Sequence, residues 1–87
     1  MSEMDETFYA FRAEMRRILG RIVFYPYKMD IFVADIIQII QNNKGEFSDY
    51  LKYCTENEKM VWIKIIRFLK EKGGSKDIEK LIEDNLR

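Results

Sequence analysis

Residues 55–74 read TENEKMVWIKIIRFLKEKGG, and this stretch carries every signal a single helix needs. Thr55 and Glu58 have the capping-box spacing, in which each side chain answers a free backbone N–H of the first turn. At about 100° per residue, Val61, Trp62, Ile65, Ile66, Phe68 and Leu69 share one broad apolar face. Lys59, Lys64, Arg67, Lys70 and Glu71 fall opposite, and Gly73-Gly74 supplies the stop. Two apolar residues, Met60 and Ile63, lie inside the basic side. A helix apolar on its core face and partly apolar on its outer face is expected to touch something besides its own core.

Working outward, the remaining sequence is helical in the same sense. Asp5 or Thr7 is expected to cap a first helix ending near Phe24, with residues 1–4 frayed. Phe8, Phe11, Met15, Ile18 and Ile22 recur at spacings of three and four, and Leu19 widens the stripe. Pro26 disfavours helical geometry at Tyr25. The β-branched and aromatic run from Ile22 to Tyr25 also suits a short extended piece. Asp30 is expected to cap a second helix over 31–42, with Val33, Ile36, Ile37 and Ile40 inward and Phe32 and Ile39 flanking. Asn42-Asn43-Lys44-Gly45 reads as its stop. Ser48 is expected to cap a short third helix ending near Cys54, with Phe47, Tyr50, Leu51 and Cys54 on one side. One continuous helix over 47–72 is the competing reading. Ser75 is expected to cap a last helix whose first turn carries Asp77 and Glu79, where the helix dipole favours acids. Ile78, Leu81, Ile82 and Leu86 form its apolar stripe. The expected fold is therefore all-α, a compact bundle of four or five short helices in one domain over 1–87. Trp62, Ile65, Ile66, Phe68 and Leu69 are placed at its centre.

Composition narrows the function. The 87 residues allow one small core, yet 47% are hydrophobic and twelve are aromatic. A chain this short buries only ~60–65% of its unfolded surface, so surplus apolar groups point to a protein partner or a homodimer. Fifteen basic residues balance fifteen acidic ones, which removes a global positive charge as a nucleic-acid argument. The charge is uneven, however. Arg12 to Lys28 holds five basic residues against one Glu, and Lys59 to Lys76 holds six against one. The single cysteine, Cys54, leaves no internal disulfide, and no apolar run approaches the ~18 residues of a membrane helix. The acidic N-terminus, with no apolar stretch after it, does not read as a signal peptide. A cytoplasmic or nuclear location without membrane association is expected.

Catalytic equipment is sparse. There is no histidine, so acid–base work near neutrality would fall to a tuned carboxylate or lysine. No acid sits on an apolar helix face. Glu58 comes closest, and it reads as the capping-box residue. Cys54 lies at core spacing from Tyr50 and Leu51 and reads as a structural thiol. One Cys, no His and scattered acids give no metal-ligand cluster. No cofactor and no small-molecule substrate are implied.

The candidate sites are thus contact surfaces. Lys59, Met60, Ile63, Lys64, Arg67 and Lys70 form a partner-binding patch in which basic groups steer and two apolar side chains anchor. Arg12, Arg16, Arg17 and Arg21 are the alternative, a phosphate-contacting set for DNA or RNA, although they spread over about half of the first helix. Phe24, Tyr25 and Tyr27 beside Pro26 would either wedge two helices or stack on a partner. A helix-turn-helix over 30–72 would make the Trp62 helix the reader, and that helix is too apolar for a groove except through its Lys59–Arg67 face. The expected function is a non-enzymatic interaction or accessory subunit. Its expected setting is a DNA- or RNA-processing complex such as a polymerase or repair assembly acting in DNA replication. A small helical DNA- or RNA-binding protein is the alternative.

Overall fold

The computed structural model describes residues 3–86 in the backbone and residues 6–86 in their side chains. Five α-helices follow one another: α1 (Glu3–Phe24), α2 (Met29–Asn42), α3 (Lys44–Lys52), α4 (Glu56–Lys72) and α5 (Lys76–Asn85). A single 3-10 turn, Pro26–Lys28, joins α1 to α2, and no strand occurs among the described residues. The all-α bundle read from the periodicities is the observed fold. Its radius of gyration, 12.4 Å, matches the ~12 Å expected of a compact chain this long.

α1 is the spine, packing on α2, α3 and α4 while α5 closes over α3, α4 and α2. Its inward stripe is the expected one: Phe11, Met15, Ile18, Leu19 and Ile22 are buried, with Phe8 half-buried at the edge. An aromatic knot fills the centre. Phe47 and Trp62 meet edge-to-face at 5.2 Å between ring centroids, and Phe11 and Tyr50 pack beside them. Such pairs add ~0.5–1.5 kcal/mol beyond their burial. Trp62, Ile65 and Leu69 are central as expected, whereas Ile66 and Phe68 are only half-buried. Those two lie at the flanks of the apolar arc.

Several helix boundaries differ from expectation. Met1 and Ser2 lie outside the described residues, but Glu3 and Met4, expected to fray, belong to the first turn of α1. The stretch Ile22 to Phe24 stays helical, and the break falls on Tyr25 (φ −130°, ψ 64°), the residue that Pro26 excludes from helical geometry. Asp30 is not a cap. The 3-10 turn runs straight into α2, which starts at Met29 after Lys28 (φ −106°, ψ 19°). No extended residue stands there to aim a side chain at the helix start, so Asp30 instead occupies the first turn and faces its dipole.

The stop after α2 is one residue long. Asn43 donates from Nδ2 to the Ile39 carbonyl (2.8 Å), and its own carbonyl accepts from Phe47 N–H (2.9 Å). It therefore ends α2 and begins α3 together, so α3 starts at Lys44, ahead of the expected Ser48. Ser48 lies inside α3, with Oγ 3.3 Å from Asn85 Oδ1 of α5. α3 also ends earlier than expected, at Lys52. Residues 47–72 are two helices, because Thr55 is extended (φ −73°, ψ 166°) and completes the capping box with Glu58. Gly73 (φ 75°) closes α4 in the left-handed conformation, with Gly73 and Gly74 N–H both donating to the Leu69 carbonyl. Ser75 caps α5 as read, its Oγ accepting from Ile78 N–H at 3.3 Å.

Candidate functional site

The outer face of α4 presents Met60, Ile63, Lys64 and Arg67 as one stripe at i, i+3, i+4 and i+7. Burial of Val61, Trp62, Ile65 and Leu69 fixes the rotation of the helix, so this stripe must point away from the core. No other helix among the described residues covers it: Met60 is 62% exposed and Ile63 46%. Lys64 and Arg67 are exposed and make no ion pair among the described residues. The two remaining members of the patch differ in kind. Lys59 is partly covered and lies 3.5 Å from Glu56. Lys70 reaches Glu83 of α5 at 3.0 Å, tying the two helices together. The patch therefore has an apolar centre, two free cations and two cations already engaged at its rim.

The arginines of α1 do not converge. Arg16 approaches Glu58 of α4 at 3.6 Å. Arg17 is held by Glu14 through hydrogen bonds of 2.6 and 2.5 Å. Arg12 is half-buried, and its Nε has no hydrogen-bond partner among the described residues. Arg21 alone is exposed without an ion-pair partner there. It borders a polar hollow of about 410 Å³ between α1 and α2, whose Arg17 and Arg21 are balanced by Glu14 and Asp35. A phosphate track needs several free cations along one line, and this helix offers one.

The most elaborate polar arrangement was not legible in advance. Trp62 Nε1 donates to Tyr50 Oη (3.1 Å), and Tyr50 Oη donates to Glu58 Oε2 (2.5 Å). Glu58 Oε1 also accepts from the N–H and the hydroxyl of Thr55. Burial pushes the Glu58 carboxyl up, but the Tyr50 hydroxyl, both Thr55 donors and Arg16 outweigh it, and the net direction is down. Burial raises the Tyr50 phenol, and the Glu58 carboxylate raises it further. The available signal was that a buried Trp and a buried Tyr each need a polar partner, and Glu58 lies one turn before Trp62.

These groups are arranged for stability. Glu58 accepts from Tyr50 Oη and from both Thr55 donors, and these hold its carboxyl low, so it is poorly set to take up or release a proton near neutrality. Cys54 Sγ contacts the Leu51 carbonyl at 3.4 Å, and burial pushes its thiol up, away from the reactive thiolate. Among the described residues no three His, Cys, Asp or Glu side chains gather as metal ligands. No described helix is long and apolar enough to cross a membrane. The chain matches no family model, no curated protein and no solved structure.

Proposed function

We propose that this protein is a non-enzymatic interaction subunit that docks an acidic protein surface through the outer face of α4. The carrying observation is the stripe Met60, Ile63, Lys64 and Arg67, in which two exposed apolar side chains stand beside two unpaired cations. Apolar anchors of this kind supply affinity once desolvated, and the surrounding charges steer encounter and select the partner's sign. The setting that fits the basic patches is an accessory position in a DNA- or RNA-processing assembly such as a polymerase or repair complex.

The test is capture of a partner from the native organism, followed by binding measurements with the purified partner. Met60→Asp and Ile63→Asp are expected to keep the helix content and melting temperature while losing the partner. Lys64→Glu with Arg67→Glu is expected to slow association and flatten its dependence on salt. Unchanged binding by the Asp variants, or their unfolding, would overturn the docking face. Duplex DNA or RNA binding with a steep salt slope would instead favour direct nucleic-acid contact through α1.

A further inference from the structure

We infer that two copies of this chain associate about a two-fold axis through the corner where α1 turns into α2. Five large apolar residues crowd nine positions there, and all are exposed: Val23, Phe24 (79%), Tyr25, Tyr27 (74%) and Ile31. The cause is local. The inward stripe of α1 ends at Ile22, Pro26 then forces a turn with no buried residue, and the next fully buried residue is Val33, with only Met29 and Phe32 partly buried against the core before it. Tyr25 and Tyr27 brace each other edge-to-face at 6.1 Å, so part of the ordering that binding would require is already in place.

Area and charge both select a second copy as the occupant. Aromatic side chains present ~200 Å² each, so these rings with Val23 and Ile31 expose on the order of 500 Å² of apolar surface. That is near the upper end of the largest patch found on a typical monomer, ~300–600 Å². With a rim of Arg21, Pro26, Lys28 and Asp30 it approaches the ~800 Å² per partner of a standard stable interface. The rim carries both signs, and Arg21, Lys28 and Asp30 are exposed and in no ion pair among the described residues. A polyanion or an acidic protein would meet Asp30 as a like charge. A second copy brings the same mixed rim, so a two-fold arrangement that faces Arg21 or Lys28 of one copy with Asp30 of the other satisfies both signs. The chain's net charge of zero leaves no long-range repulsion between copies. None of the five corner residues belongs to α4, although Val23 shares a groove with Asn57 and Val61 of that helix.

Sedimentation velocity on the full chain, from about 1 to 500 µM, tests the assignment. A species of twice the 10.5 kDa chain mass is expected to grow with concentration. Phe24→Asp is expected to weaken the dimer roughly thirtyfold or more, as loss of a central anchor does, with unchanged helix content and melting temperature. If Phe24→Asp perturbs folding, Tyr27→Ser makes the same test at a second exposed ring. Lys28→Asp is expected to weaken the dimer, and adding Asp30→Lys in the same chain to restore it. Met60→Asp is expected to leave it intact. A monomer across the whole range overturns the inference, as does a dimer that survives the corner variants or dissociates with Met60→Asp. A monomer that binds single-stranded oligonucleotide through Tyr25 and Tyr27 overturns it in favour of base stacking.

Discussion

Tyr50 Oη of α3 donates a 2.5 Å hydrogen bond to Glu58 Oε2 of α4, while itself accepting from Trp62 Nε1. The two helices are separated by only three residues, Tyr53 to Thr55, and this bond locks the bend between them. Glu58 thereby serves the capping box with one oxygen and the core with the other. Tyr50→Phe strands the Trp62 N–H in the interior and removes one donor from the carboxylate. A loss of about 1–3 kcal/mol is expected, the cost of an unmet buried polar group, read by urea denaturation. A double-mutant cycle with Glu58→Gln should show coupling of about 0.5–3 kcal/mol, as for residues in one network. Additive losses would mean that the bond contributes nothing of its own.

The same pair contributes at both ends of the pH profile. The folded Glu58 carboxyl titrates below its ordinary value of about 4.3 because donors surround it. Its contribution is therefore present above that value and is lost as pH falls through the lower, folded one. Tyr50 behaves oppositely. Its phenol is raised by burial, so its contribution is complete below its ordinary value of about 10 and declines as pH rises beyond it. Stability of the natural chain minus that of Glu58→Gln should shrink as pH falls below the ordinary carboxylate value of about 4.3. Tyr50→Phe should flatten the alkaline limb. Melting curves across pH check both limbs.

Three glycines should respond differently to alanine. Gly73 holds φ 75°, a conformation that costs an L-residue roughly 1–2 kcal/mol. Gly74 is limited by space, since a Cβ there would run into the side chain of buried Leu69. Overpacking of that kind costs about 1–3 kcal/mol. Gly20 sits inside α1 with open space around its missing side chain, so Gly20→Ala should stabilise by about 0.5–1 kcal/mol through helix propensity. Melting temperatures of the three single variants decide the order, and a destabilised Gly20→Ala would contradict the open space beside it.

The helices, most of their inward faces and the caps at Thr55, Gly73 and Ser75 were legible in the sequence, because each depends on residues three or four apart. The misplaced boundaries show where that locality fails. Asp30 and Ser48 have good capping chemistry, but a side chain caps only where the backbone enters extended. Pro26 sends a 3-10 turn directly into α2, and Asn43 stands at the start of α3 five residues before Ser48. The candidate surface on α4 was legible as a pattern and undecided as a surface. Whether Met60 and Ile63 are covered depends on where α5 packs, and α5 lies against the flank marked by Lys70 and Glu83.

By itself, the sequence determined that this chain is a bundle of short helices with a tryptophan-centred core, since helix periodicity and capping are local. Only the tertiary structure decided which surplus apolar groups stay in water. It exposed the Met60–Ile63 stripe and the Phe24–Tyr27 corner, and it scattered the α1 arginines among Glu14, Glu58 and solvent. It also joined Tyr50, Glu58 and Trp62 across a bend. Those outcomes rest on contacts between helices, whose geometry is set by how five apolar faces close around one core.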